Sequence, residues 1–205
     1  MTIQASVVSR SEMKFVVQVE VPYLKDMLKA EEMILQCVNA AGNLSTAEVL
    51  SQFDTDGSPI KLGAEKLTSK GLEPKAYQTP YGEINVNRHV YQPNQGGETY
   101  CPLDVAARIV VTSTPKFAKM VAAKYAEFGS GRVLMDLEEN HGRPVARSYI
   151  QNLADAVAAG IAVKEEEWSY DVGEFDRAVK SVSIGLDGTC MLMCEDGWRE
   201  AMVGT

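Results

Sequence analysis

The chain has 205 residues, 45% of them hydrophobic, with a formal net charge of -8 and a pI near 4.9. That is enough apolar material for one large or two small domains, and it excludes a uniformly basic nucleic-acid coat while leaving room for a locally basic face. The opening "MTIQASVVSR" lacks a secretory pattern, Cys37, Cys101, Cys190 and Cys194 form no paired framework, and the most apolar later stretch, 154–163, falls short of the roughly 20 residues of a spanning helix, so reduced thiols, a cytoplasmic location and no membrane span are expected.

In chain order, "KFVVQVEV" (14–21) alternates β-branched residues and predicts a strand. Apolar residues at Leu24, Met27, Leu28, Ile34, Leu35 and Val38 predict a helix that Gly42 ends. A second helix is expected from "NLSTAEVLSQF", where Ser45 and Glu48 form a capping box and Leu44 packs on Val49. "DTDGSP" (54–59) is turn chemistry, and "KAYQTPYGEINVNRHVY" predicts a β-hairpin turning at Tyr81-Gly82, with Ile84, Val86 and Val90 on one face. The loop "QPNQGG" (92–97) is the candidate domain boundary.

Beyond it the pattern is helical. Thr114 caps a helix whose first residue is Pro115 and whose stripe is Phe117, Met120, Val121 and Tyr125, with Gly129 as its stop. "GRVLMDLEENHG" gives a second, shorter helix ending at Gly142, and a third begins near Pro144. Two helices joined by a short Gly-containing turn predict a helix-turn-helix. On the third helix Arg143, Arg147 and Gln151 are spaced four apart and share a face with Ser148, while Val145, Tyr149, Leu153 and Val157 face the core. Phosphates and base edges favour such donors. The competing interpretation is the solvated face of an ordinary helical bundle.

The chain closes on an acidic connector (164–180), a strand "SVSIGLDGT", a turn at Glu195-Asp196-Gly197 and a second strand. Asp187 stands among small neighbours, which leaves room beside its carboxylate for a hydrated divalent cation and a phosphodiester. Aspartyl-phosphate chemistry would require D-x-D-G-T, but Gly185 holds the nucleophile's place, and a sugar-kinase loop would require D-x-G-T. An Asp-Gly bulge is the bland alternative. Cys190 and Cys194 make a poor zinc signal, and His89 and His141 are expected at the surface.

The blocks "TPYGEINVNRHVYQ", "GGETYCPLDVAARIVVTSTPKFAKMVAAKYAEF", "DLEENHGRPVARSYIQNLADAVA", "KEEEW", "SVSIGLDGT" and "DGWREAMVGT", by their order and spacing, resemble the N-terminal part of bacterial insertion-sequence transposases of the ISKra type. The resemblance runs from about Gln52 to Thr205 and is less distinct in the first fifty residues. It implies helical segments that bind transposon-end DNA, then a ribonuclease-H-like DDE domain using Mg²⁺ and three acidic residues. Asp187 matches the first acid, as catalytic residue and metal ligand, and Trp198 to Thr205 would begin the second strand. The other two acids fall beyond Thr205 in the family, so the chain is expected to be a truncated fragment, inactive alone and without a tightly bound metal.

The expected fold class is α+β: an N-terminal α+β region with a helix pair and β-hairpin (1–92), a helix-turn-helix region (98–163), the acidic connector, and the first hairpin of an incomplete ribonuclease-H-like domain (181–205). Arg143, Arg147, Ser148, Gln151 and Asn152 are the expected contacts to double-stranded DNA of transposon terminal repeats. The rival is a non-catalytic interaction protein that forms oligomers with itself or dimerises with full-length transposase and regulates it; an inactive relic is a third possibility.

Overall fold

A computed structural model describes residues 3–167, 169, 186–193 and 197–204. The chain is mixed α+β, with small antiparallel sheets and five helices among the described residues. Two compact units are present, Met1–Glu167 and Trp168–Thr205.

The first unit opens with a hairpin that the sequence only half announces. β1 (Ala5–Arg10) pairs antiparallel with β2 (Phe15–Val19), and its register shifts between Val7 and Ser9. Only the second of these strands was expected. β1 is short and carries "SVVSR", whose alternation spans too few residues to separate it from coil. Arg10 ties this hairpin to the following helix through an ion pair with Glu48, with Nη2 donating to Oε2 at 2.9 Å.

That helix, α1 (Met27–Ser51), is one continuous element where two were expected. Asp26 caps it, accepting the Lys29 N–H at 3.2 Å. Gly42 does not end it, and Ser45 and Glu48 do not form a capping box. Thr46 instead returns its hydroxyl to the Gly42 carbonyl at 2.8 Å, and Glu48 turns to Arg10. Gly42 is there for a different reason: a Cβ at this position would lie 2.3 Å from Cγ of Tyr81. The glycine lets an aromatic ring rest against helix backbone, and that contact offsets the roughly 1 kcal/mol that glycine costs inside a helix.

Tyr81 belongs to the turn of the central hairpin. β3 (Ile60–Leu62), β4 (Glu65–Gln78) and β5 (Glu83–Pro93) form an antiparallel sheet in that order. Tyr77 faces Ile84 and Gln78 faces Glu83 in register, so the chain reverses through Thr79–Gly82, as the Tyr81-Gly82 pair predicts. Ile84, Val86 and Val90 are all buried, matching the face expected from their spacing. Leu50, Tyr77, Ile84, Val86 and Leu103 make one core, and Leu103 arrives on α2 (Pro102–Ala106).

α3 (Pro115–Glu127), α4 (Ser130–His141) and α5 (Arg147–Glu167) enclose a second core of Phe117, Ala118, Val121, Val133, Leu137, Ile150 and Leu153. Each fully buried Leu, Ile, Val or Phe of this set contributes about 1.5–3 kcal/mol relative to exposure. The 92–97 loop does not divide the unit, because Tyr91 and Tyr100 exchange backbone hydrogen bonds at 2.8 Å across it.

The second unit contains a two-stranded antiparallel sheet, β6 (Leu186–Met193) with β7 (Gly197–Gly204), which agrees with the expected terminal hairpin. Residues 170–185, most of the acidic connector and the start of the expected strand, lie outside the described residues, as do Glu195 and Asp196.

Gly42→Ala is expected to destabilise the first unit by about 1–3 kcal/mol in urea unfolding, because overpacking against Tyr81 exceeds the gain in helix propensity. The double variant with Tyr81→Ala is expected to lose less than the sum of the two single losses, and strict additivity would count against the contact.

Candidate nucleic-acid interface

The residues expected to contact DNA lie on and just before α5, and the structure separates them into two groups. Arg143 follows α4 directly. Gly142 adopts the left-handed conformation at φ 60, and the N–H groups of Gly142 and Arg143 return to the carbonyls of Glu138 and Leu137 at 3.0 and 2.8 Å. This ending turns the Arg143 side chain inward. Its Nε donates to the Thr79 carbonyl at 3.0 Å, its Nη2 donates to Oε1 of Gln78 at 2.5 Å, and its guanidinium carbon lies 5.2 Å from the Phe117 ring centroid.

Arg143 is only 5% exposed, and burial pulls its guanidinium below the ordinary arginine value. The expectation that Arg143 meets DNA is therefore corrected. Its donors are committed to the hairpin turn, and withdrawing them would leave a buried carbonyl unpaired. The same tether explains why α5 starts at Arg147 and not near Pro144: residues 143–146 are the segment that spans from the turn to the helix.

Arg147, Ser148, Gln151 and Asn152 are all exposed on α5. They are held outward because the opposite side of the helix is fixed. Ile150 and Leu153 are fully buried, and Val145, Tyr149 and Val157 pack against the same core, as the spacing predicted. Tyr149 adds polar fixation, with its hydroxyl 2.6 Å from the Ser113 hydroxyl and 3.0 Å from that of Thr112. A helix locked on one face presents the other at a defined angle.

Sequence reasoning missed one neighbour. Nη2 of Arg147 lies 3.6 Å from where a Cβ on Gly131 would stand, so its guanidinium reaches the first turn of α4, beside the exposed Arg132. The run Gly129-Ser130-Gly131-Arg132 was the available signal: small residues at a helix start admit a long side chain from a neighbour. The Arg147 guanidinium thus stands beside the positive end of α4.

Other titratable groups are engaged inside the first unit. His89, expected at the surface, is half-buried; its Nδ1 lies 2.9 Å from Oδ2 of Asp54, whose carboxylate also accepts the His89 N–H. Tyr77 donates to Asp104 at 2.5 Å, and burial followed by this bond raises its pKa. His141 is the last residue of α4, with Nε2 3.9 Å from Oδ2 of Asp136. Asp136 pairs with Lys124 at 2.5 Å and accepts from Asn140 at 2.8 Å, which holds its carboxyl below the ordinary range. Cys37 and Cys101 are free thiols.

Asp187 lies on β6, and its partner in register on β7 is Val203. Among the described residues no three His, Cys, Asp or Glu side chains converge on a common point. No described helix is long and apolar enough to cross a membrane. No family model and no curated protein matches the chain.

Arg143→Ala is expected to destabilise the protein by about 3 kcal/mol in chemical denaturation, since it orphans a buried carbonyl, whereas Arg147→Ala is expected to stay within about 0.5 kcal/mol of wild type. The pH dependence has a definite sign. The folded-state value for Asp136 is depressed, so its contribution is complete above the unfolded carboxyl value near 3.8 and is lost as pH falls through the folded one. Thermal midpoints followed from neutral pH to below that value are expected to fall, and to fall less in Asp136→Asn.

Proposed function

We propose that this chain is the DNA-binding, N-terminal portion of an insertion-sequence transposase of the ISKra type, and that α3, α4 and α5 engage the duplex at a transposon end. In this reading α4, residues 142–146 and α5 act as a helix-turn-helix, with α5 as the recognition helix. The single observation that carries the proposal is the outward face of α5, where Arg147, Ser148, Gln151 and Asn152 stand exposed while the opposite face is sealed into a core. Arginine suits phosphate and guanine, and glutamine and asparagine suit adenine, so one face holds both positioning and base-reading donors. Arg132, exposed in the first turn of α4, adds a second cation for the backbone.

β6 and β7 stand in this proposal as the first two strands of a ribonuclease-H-like sheet, with Asp187 as the first acid of the catalytic set. Mg²⁺ belongs to the complete enzyme, where it would be held between that carboxylate and others. No cleavage step is assigned to the chain by itself, and none is expected with Mg²⁺ or Mn²⁺.

A second proposal is supported by a different observation. Leu24, Met27, Leu28, Ile34 and Val38 are exposed around the first half of α1, at 41–67% of their full accessibility. Such a stretch favours protein contact, so the chain would associate with itself or with full-length transposase and regulate transposition without cutting DNA.

Electrophoretic mobility and salt titrations separate the two. Terminal-repeat duplex is expected to bind more tightly than random duplex, Arg147→Ala to weaken binding about tenfold, and the slope of log K against log salt to drop by about 1. Equal binding to both duplexes, unaltered by Arg147→Ala, would remove the DNA-end role. A change in transposition frequency on co-expression, retained in Arg147→Ala, would support the regulatory one.

A further inference from the structure

The first half of α1 has the pattern of a helix that faces a core and the surroundings of one that faces water. Met27, Glu31, Ile34 and Val38 follow the alternating four-and-three spacing of a heptad seam, and Leu28 and Leu35 widen it on one side. Met27, Leu28, Glu31, Ile34 and Val38 are nevertheless exposed, and Leu35 is half-buried. Over the 25 residues of α1 only Cys37 and Leu50 are buried. The chain just after β2 packs on the flank that carries Cys37, whose Sγ–H donates to the Glu20 carbonyl at 3.5 Å. A two-stranded hairpin such as β1–β2 is marginal by itself, so this end of the first unit has a thin sheet, a long helix and an uncovered apolar seam.

The seam is large enough for a stable contact. Val21, Tyr23 and Leu24 lead into it and are exposed by 41% or more, as are the exposed apolar residues of the helix itself. Full burial of a side chain of this kind removes roughly 60–120 Å² of apolar surface, so the stretch offers on the order of 400 Å² per copy. Interfaces are about 56–65% apolar, which corresponds to roughly 1,300 Å² in total for two copies, above the roughly 1,000 Å² that a specific interface needs.

The pattern also matches itself when inverted. A second copy turned end over end sets the long Met27 against the shorter Val38 and Ile34 against Glu31, and both contacts recur across a two-fold axis between positions 31 and 34. A parallel copy would place Glu31 on Glu31 in one layer, like charge on like. The inverted copy separates them, although each carboxylate still loses water against an isoleucine, which keeps the association reversible. We propose that a second copy of this chain covers the α1 seam, as an antiparallel helix pair related by two-fold symmetry. The proposal rests on the second reading above for protein association and adds to it the occupant and the register.

The test is sedimentation velocity of the full chain over a concentration series. A monomer–dimer equilibrium is expected, weakened by at least about tenfold in Ile34→Glu and tightened about tenfold in Glu31→Leu. Tightening to a discrete dimer is not a symptom of misfolding, so Glu31→Leu decides the question if Ile34→Glu fails to fold. Oxidation of an equal mixture of Met27→Cys and Val38→Cys chains is expected to join position 27 of one copy to position 38 of the other, identified by mass spectrometry. Linkage of position 27 to position 27 overturns the antiparallel register. A monomer at every concentration, or a dimer indifferent to both Ile34→Glu and Glu31→Leu, overturns the proposal. In the first case a change in transposition frequency on co-expression, abolished by Ile34→Glu, retains the association reading with full-length transposase as occupant; in the second, self-association stands on another surface. Arg147→Ala is expected to leave sedimentation unchanged, so loss of DNA binding in that variant bears on α5 alone.

Discussion

The first unit depends on the seating of one turn, Gln78 to Gly82. The Thr79 hydroxyl donates within the turn to the Gly82 carbonyl at 2.9 Å and lies 2.9 Å from Oδ1 of Asn43 on α1. Tyr81 lies on Gly42, and Gly82 is pressed so close to Asn43 that a Cβ there would sit 1.9 Å from its amide nitrogen. From the other side Arg143 grips the Thr79 carbonyl and the Gln78 amide. The Gln78 backbone meanwhile bonds to Thr112 and Thr114, just ahead of α3. Three separate parts of the chain thus meet on five residues. Most of those bonds involve buried or half-buried polar groups, so none can be released without leaving a partner unsatisfied.

This seating determines what the helical layer can present. Burying an arginine is expensive unless its donors are satisfied, and Arg143 is satisfied by two oxygens and the face of Phe117. Its burial draws the end of α4 onto the hairpin, and Asn39 of α1 reinforces the join by donating to the His141 carbonyl at 2.9 Å. α5 then leaves from a fixed origin. The next arginine on the same four-residue spacing, Arg147, is left outward and free to meet a ligand. Two residues of equal chemistry and regular spacing therefore take opposite roles, one as an internal tether and one as a surface donor.

Much of this was legible in residue spacing. The boundaries of α3, the hairpin turn, the buried trio Ile84, Val86 and Val90, and the inward face of α5 all follow from periodicity and turn chemistry, which are local signals. The failures share a cause. Gly42 looks like a helix stop because glycine usually is one, and only the distant Tyr81 explains its place inside α1. Ser45 and Glu48 fit a capping box, but Arg10, thirty-eight residues earlier, takes the glutamate. Arg143 fits a donor face until Thr79, sixty-four residues earlier, is brought against it. Long-range partners overrule local propensity when they bury polar groups, and no window of sequence contains both halves of such a contact. The meeting of Arg147 with Gly131 was hidden for the same reason.

Net charge, too, is redistributed by folding. The chain is acidic overall, which weighs against an anionic ligand, but its acids are unequally free. Glu48 is paired with Arg10, Asp54 with His89, Asp104 with Tyr77 and Arg88, and Asp136 with Lys124. A carboxylate held against a cation or a donor projects little field beyond a Debye length of roughly 10 Å. Lys116, Arg132 and Arg147 have no such internal partner among the described ion pairs, and they stand at helix starts, where the backbone adds positive potential of its own. The field met by a ligand at α3 and α4 is therefore set by local cations and aligned N–H groups, not by the total of -8. An acidic net charge and a locally cationic helix start can therefore coexist on one chain.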